Sequence, residues 1–290
     1  CELALQPINA FKLDAAILFS DILTIPDSFG LGVEFVEKEG PVFNNPINSS
    51  TDISNLDHFD PESLDYVYKA VKNIKNSLPE EIPLIGFCGS PWTLAAYSIE
   101  GRSSKDFEKT LNFLVSNQKD VHNLLTKYTD ACFLYLRRQV QSGADVIQIF
   151  DSWANLLTKE GLIEYSFNYI NALISALKLD PVTKNIPVIV FARNPKCNIE
   201  ELINTSADCI SLYWSMNDLN FELAKNKVAI QGNLDPKILL ESDEIIKRET
   251  YKILEKFEKY PGYIFNLGHG ITPDINPDKI KYLTNIVREY

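Results

Sequence analysis

The sequence predicts an α/β barrel, and three observations point to this fold class. Short apolar runs with high β propensity alternate with segments of helical periodicity along the 290 residues. Each run is apolar at nearly every position, which is typical of parallel strands covered on both faces. Polar residues follow the runs directly, where parallel barrels hold their active sites. We therefore expect residues 1–290 to form one barrel domain.

The strand prediction rests on seven runs: Leu13–Phe19, Pro83–Gly89, Asp145–Phe150, Pro187–Arg193, Asp208–Trp214, Lys227–Gly232 and Tyr263–Gly268. A closed (β/α)8 barrel, or TIM barrel, has eight strands. The count therefore predicts that the first strand is missing from this chain and would precede Cys1. A doubly wound open sheet is the alternative, but its first turn is usually rich in glycine, and Ser20–Ile22 contains none.

Between the runs, apolar residues recur at helical spacing. Three segments show this clearly, at 64–74, 121–128 and 163–173. A last helix is predicted from about Pro277, and Pro91 is expected in the first turn of a helix that carries Trp92 and Tyr97. The long connection Thr24–Pro61 is rich in Gly, Pro, Asn and Asp, so we expect a loop or small hairpin that folds over the strand ends.

Composition argues against several function classes. The net charge is −11. Nucleic-acid-binding proteins usually carry clusters of Lys and Arg, so this excess of acidic residues argues against that class. No stretch approaches 18 apolar residues, so no membrane span is predicted. Dinucleotide, P-loop, HExxH and CxxC motifs do not occur. The five scattered cysteines are interpreted as free thiols in a reducing cytoplasm: Cys1, Cys88, Cys132, Cys197 and Cys209.

The chain begins with Cys1 rather than with methionine. A mature lipoprotein also begins with cysteine, but a polar tether usually follows it. Here Ala4, Ile8 and Phe11 follow at helical spacing. Truncation inside a domain, or an omitted start, is therefore the preferred interpretation.

Three strand ends carry candidate site residues. Asp21 follows the first run. It is either a residue that caps a helix or stabilises a turn, or a carboxylate that points, beside Phe19, into the opening of the barrel at the carboxyl ends of the strands. Tyr97 is either a packing residue or part of the site. Ser152 follows the third run outside any GxSxG motif, which favours a hydrogen-bond donor to an anion over a nucleophile.

Histidine is rare, and only His269 lies in a setting that suggests chemistry. It stands between two glycines after the seventh run. His58 lies in a polar stretch and is expected at the surface. His122 lies in a predicted helix and is expected at the surface or in packing.

Five segments together resemble uroporphyrinogen decarboxylases of the bacterial type. They occur in the family's order along the whole chain: Leu5–Phe43 with its FSDIL string, Pro83–Gly101, Ile147–Ala154, Ala229–Pro236 and Phe265–Asp274 with its FNLGHGITPD string. The resemblance implies a (β/α)8 barrel and a homodimer with facing mouths. It also implies porphyrin and haem biosynthesis, in which four acetates of uroporphyrinogen III become the methyls of coproporphyrinogen III without metal or organic cofactor.

The resemblance assigns roles at matching positions. Asp21 of FSDIL would be the catalytic carboxylate, which hydrogen-bonds the pyrrole N–H groups of the macrocycle. Tyr97, Ser152 and His269 would bind substrate. Apolar walls would come from three phenylalanines: Phe19, Phe87 and Phe150.

The sequence departs from the family at several points. Two arginines of an RQAGRY-type motif, which clamp substrate carboxylates, would precede Cys1. None of the six arginines present is expected to replace them: Arg102, Arg137, Arg138, Arg193, Arg248 and Arg288. Asn155 stands where the family often has glycine, and Tyr213 stands where it has aspartate.

Two alternatives remain open. A corrinoid-dependent methyltransferase of the same superfamily would hold zinc through an HxC motif, and the sequence has none. A non-catalytic barrel is favoured only by the absence of the arginine segment.

Overall fold

The structure is a computed structural model that describes residues 2–37, 39–217 and 219–290. The expectations for Cys1 lie outside these residues. These residues contain nine strands: β1 Ala16–Ile17, β2 Val33–Val36, β3 Gly40–Phe43, β4 Leu84–Gly89, β5 Val146–Asp151, β6 Val188–Ala192, β7 Cys209–Ser211, β8 Ala229–Gln231 and β9 Tyr263–Ile264. All seven predicted strands are confirmed, although most are shorter than the apolar run that predicted them.

Twelve α-helices connect the strands in the described residues: α1 Glu2–Phe11, α2 Thr24–Pro26, α3 Ser50–Ser54, α4 Asp65–Ser77, α5 Pro91–Glu100, α6 Glu108–Ser116, α7 Gln118–Gln141, α8 Lys159–Gly161, α9 Asn168–Leu179, α10 Ile199–Ile203, α11 Asp243–Phe257 and α12 Pro277–Glu289. The described part of the chain also has two π-helical segments, at Asp27–Leu31 and Leu162–Phe167. Short 3-10 turns occupy Pro61–Leu64, Ala154–Leu156, Phe221–Leu223 and Pro236–Leu240. The predicted helices, including the one that starts at Pro277, are confirmed.

Seven strands form one parallel sheet in the order β1-β4-β5-β6-β7-β8-β9. Consecutive strands of the sheet are neighbours, which is the connectivity of a barrel rather than of a doubly wound sheet. In the described residues β1 and β9 are the two edges and do not pair with each other. The remaining two strands, β2 and β3, form an antiparallel hairpin within the predicted connection 24–61, as expected.

The sheet is curled. Alternate residues on one face of all seven strands line a single large cavity, as Ile189 and Phe191 do on β6. The intervening residues, such as Val188 and Val190, are fully buried against the helices. One face therefore supplies the core, and the other encloses an open interior.

Helix α7 supports the strand layer where β1 ends. The side chain of Gln139 on this helix accepts a hydrogen bond from the Phe87 N–H (3.0 Å) and donates one to the Phe87 carbonyl (2.9 Å). A Cβ on Gly86 would lie 2.5 Å from the Gln139 amide oxygen, so glycine is needed there. The helix thus replaces strand pairing that the short β1 does not give to β4.

The outer layer also connects the two ends of the sheet. Arg288 of α12 donates to the Lys12 carbonyl and forms an ion pair with Asp14 (3.1 Å), and both of these precede β1. No helix within the described residues is long and apolar enough to cross a membrane. The four described cysteines are free thiols.

Candidate active site

The large cavity runs through the whole interior of the curled sheet, from Asp14 and Pro187 before the strands to the residues that follow them. It has a volume of about 1050 Å³, and its lining includes Phe150, Ser152 and His269. Three of the seven predicted site residues are therefore brought together. This volume is that of the whole interior of the sheet, whose edges β1 and β9 do not pair in the described residues.

A series of aromatic rings extends from Phe87 in the core to His269 at the rim of the cavity. Phe87 contacts Phe150 with ring centroids 5.6 Å apart, and Phe150 contacts Phe191 at 6.0 Å. His269 extends the series, at 6.5 Å from Phe191 and 5.9 Å from Tyr213. Phe150 and Phe191 line the cavity, whereas Phe87 packs behind Phe150 in the core and lines neither cavity.

Asp151 fixes the end of β5 behind Ser152. It is fully buried and accepts hydrogen bonds from Ser90 (2.9 Å), Thr93 (2.9 Å) and Ser166 (2.5 Å). Burial raises the pKa of the Asp151 carboxyl, and these hydroxyls lower it in part. Ser90 also caps α5, whose first residue is Pro91 as predicted. The carboxyl thus joins three elements and leaves Ser152 facing the cavity.

His269 lies on an exposed turn at the rim of the cavity. The preceding Gly268 approaches Trp214 so closely that a Cβ would lie 2.3 Å from its backbone nitrogen. Only glycine fits at this crossing. The other histidines behave as expected: His58 is exposed, and His122 hydrogen-bonds Tyr169 (2.8 Å) and stacks on Tyr165.

Asp21 lies at the end of β1 and shows features of both interpretations. One carboxylate oxygen accepts the Leu23 N–H at 2.7 Å, which is a turn interaction. The carboxylate is also half-buried and lines a second cavity of about 480 Å³ with Phe19 and Tyr66. Burial raises the pKa of Asp21, and the Leu23 hydrogen bond lowers it in part. Phe19 is 70% exposed, so in this structure it is a rim residue.

Tyr97 lines neither of these cavities. Its ring packs against Trp153 (5.6 Å) and Phe107 (5.7 Å), which agrees with the packing interpretation. Burial raises the pKa of the Tyr97 hydroxyl, and the neighbouring Trp153 and Ser103 side chains lower it in part; the charges of Asp21 and Arg193 have smaller, opposite effects. The hydroxyl is therefore within electrostatic range of two strand-end charges.

Sequence reasoning gave no role to Arg193 or Trp153, although both lie at strand ends near Tyr97. The Arg193 guanidinium lies 5.6 Å from the centre of the Trp153 ring. The position of Arg193 at the end of the fourth apolar run was the available signal. No group of three or more His, Cys, Asp or Glu that could hold a metal occurs among the described residues.

The curled parallel sheet, with polar and ionisable groups at its carboxyl edge, defines an enzyme-like protein of the α/β-barrel class. The model of the uroporphyrinogen decarboxylase family matches residues 1–290. A uroporphyrinogen decarboxylase of Ruthia magnifica is 44% identical over 293 residues, covering 100% of this chain and 84% of the relative. One from Legionella pneumophila strain Corby is 42% identical, covering 100% and 82%. The chain belongs to the uroporphyrinogen decarboxylase family.

Two solved structures share the fold. A methyltransferase from Methanosarcina mazei has a TM-score of 0.81 at 18% identity, covering 99% of this chain and 84% of that one. A B12-independent methionine synthase from Shewanella sp. W3-18-1 has a TM-score of 0.63 at 14% identity, covering 99% and 86%. At these identities the likeness concerns the fold alone, and it confirms the α/β-barrel class.

Proposed function

We propose that this chain decarboxylates the four acetate side chains of uroporphyrinogen III and yields coproporphyrinogen III. Family membership over the whole chain is the observation that carries the proposal. The large cavity adds support, because it combines apolar aromatic walls with Ser152 and His269 at its rim. A macrocycle with acidic arms requires both features.

The chemistry needs an electron sink. When a proton adds to a pyrrole carbon, the ring becomes cationic and can take up the electron pair released as CO₂ leaves the acetate. A second proton then converts the resulting exocyclic methylene to a methyl group, and the first proton leaves the ring carbon, which restores the neutral pyrrole. Each acetate therefore consumes one proton overall. A fixed carboxylate beside the ring stabilises the cation electrostatically, which is the role proposed for Asp21. No metal or organic cofactor takes part in this scheme.

The remaining site residues position the substrate. Ser152 and His269 bind it at the rim of the large cavity, and Phe87 and Phe150 contact its apolar face. Tyr97 acts from beside Trp153, within electrostatic range of Asp21. Phe19, which is exposed here, becomes covered when substrate binds.

The working enzyme is further proposed to be a closed (β/α)8 barrel. An eighth strand, placed between β1 and β9, would pair with both edges of the sheet. The exposed aromatic residues near the mouth, Phe19, Phe35 and Tyr66, support a homodimer with facing mouths. The free thiols fit work in a reducing cytoplasm. Sedimentation analysis would test the dimer.

An anaerobic assay with reduced uroporphyrinogen III and no added cofactor tests the function. Chromatography of the oxidised products would separate them by the number of carboxylates. Products that step from eight carboxylates to four are expected. Unchanged substrate, from a preparation that is folded by circular dichroism, would contradict the proposal.

A further inference from the structure

The side chain of Trp153 is held rigidly at the end of β5. Its backbone N–H donates to the Thr93 hydroxyl (3.3 Å), and its carbonyl accepts the Trp92 indole N–H (3.0 Å). The ring packs on Phe107 with centroids 4.1 Å apart and on Tyr97 at 5.6 Å. The indole therefore forms a fixed platform beside Ser152.

This platform has a buried donor without an acceptor. The Nε1–H of Trp153 faces the Tyr97 hydroxyl but reaches no acceptor at hydrogen-bonding geometry within the described residues. A buried donor left in this state costs free energy, so such groups call for an explanation. An acceptor brought by a ligand would satisfy it.

The guanidinium of Arg193 lies over the indole ring of Trp153. The strand register pairs Asp151 with Ala192, and the Arg193 N–H donates to the Asp151 carbonyl (3.0 Å), so Arg193 emerges beside Ser152 and Trp153. The guanidinium is half-buried and lies 5.6 Å from the Trp153 ring centre, within the range of a cation–π contact.

The Arg193 guanidinium also has no anionic partner in the part of the chain that the structure describes. No carboxylate oxygen of residues 2–37, 39–217 or 219–290 approaches it within 4.0 Å. The other arginines with described ion pairs, such as Arg137 with Asp180 (3.0 Å), lie away from the mouth and are neutralised. Arg193 therefore offers its planar donors to an incoming acid.

We propose that Arg193 is a substrate-binding residue that grips one carboxylate arm of the tetrapyrrole, and that the Trp153 indole N–H and the Tyr97 hydroxyl complete this carboxylate subsite. The inference rests on the proposed function, because that function supplies the acidic macrocycle. The cation–π contact keeps the guanidinium oriented before substrate arrives, which lowers the entropic cost of binding. Both the Tyr97 ring and the Arg193 guanidinium lie 5.6 Å from the centre of a Trp153 ring, so the three groups meet at this indole.

The test compares Arg193→Gln, Arg193→Lys and the parent chain. Removal of a charge-assisted hydrogen bond should raise KM for uroporphyrinogen III roughly ten- to hundredfold, with kcat changed less than about threefold. Arg193→Lys should restore part of the loss, because it keeps the charge but loses the planar fork. Arg248→Gln is the matched control, since Arg248 is exposed on α11 and pairs with Glu249 (2.8 Å).

Equilibrium binding of coproporphyrinogen III, measured anaerobically, separates this inference from the proposed function. A loss of affinity in Arg193→Gln and not in Arg248→Gln supports the subsite even if the parent shows no turnover. An equal rise in KM for the eight- and five-carboxylate substrates would place a propionate at Arg193. A rise in KM confined to the substrates that still carry most of their acetates would place an acetate there. Kinetics and affinity within twofold of the parent would overturn the proposal.

Discussion

At the scale of single residues, position at a strand end predicts which polar side chains meet at the carboxyl edge of the sheet better than residue type does. Ser152 and His269 follow apolar runs in the sequence, and both line the large cavity. Arg193 occupies the same kind of position but was set aside with the other arginines. Its setting depends on Trp153 and on the register between β5 and β6, and neither long-range contact is visible in the sequence.

Asp151 gives the clearest stability prediction at this scale. Asp151→Ala should lower the free energy of unfolding by about 3 kcal/mol, because three buried hydroxyls lose their acceptor. Urea unfolding would measure this. Asp65→Ala, at an exposed ion pair with Lys69, is the control and should change stability by less than about 1 kcal/mol.

The same carboxyl predicts a dependence on pH. Because its pKa is raised by burial in the folded state, its contribution is largest below the unfolded pKa and is lost as pH rises through the folded pKa. The free energy of unfolding of Asp151→Asn, compared with that of the parent, should therefore increase as pH rises from the unfolded pKa of this carboxyl to its folded pKa. A difference that does not vary with pH would contradict the burial argument.

At the scale of elements, the sequence predicted the strands and the main helices, since apolar periodicity records burial directly. It did not predict how the short β1 leaves β4 partly unpaired. Gln139 of α7 provides the hydrogen bonds that β1 does not give. In the sequence it is only a polar residue that interrupts the apolar face of a helix, although it is fully buried in the structure. Gly86 makes room for it, and this pairing of a glycine with a distant glutamine requires the folded structure.

Gln139→Ala should lower the free energy of unfolding by roughly 2–4 kcal/mol, because the N–H and the carbonyl of Phe87 would be buried without partners. Gln141→Ala, on the exposed side of the same helix, matches its change in helix propensity and should have little effect. Equal effects of the two substitutions in urea unfolding would show that Gln139 adds nothing beyond its helix.

At the scale of the whole molecule, the strand count from sequence and the sheet agree on seven strands in the described residues. The sequence predicted an α/β barrel, and the curl around one cavity bears out that class. Closure by an eighth strand is still a proposal. The division of the predicted site between two cavities, with Asp21 in the smaller one, could not be foreseen because it depends on the path of the chain after β1.

The free edge of β1 gives a prediction at this scale. The Ala16 and Leu18 N–H groups donate to carbonyls of Pro83 and Ile85, and strand alternation turns the intervening Ile17 N–H toward the unpaired edge. Residue-resolved hydrogen exchange should show Ile17 exchanging at least about a hundredfold faster than its two neighbours. A version of the chain that carries the proposed eighth strand should protect it, and equal protection without that strand would contradict the open edge.

The measurement that tests the account most directly is the anaerobic turnover of Asp21→Asn beside the parent. Asparagine keeps the size of the side chain and removes its charge, so a ring cation would lose its stabilising partner. We expect the rate to fall by at least about a hundredfold, while Asp27→Asn, at another aspartate of the same small cavity, stays within threefold of the parent. An Asp21→Asn enzyme as fast as the parent would contradict the central claim that decarboxylation occurs beside this carboxylate.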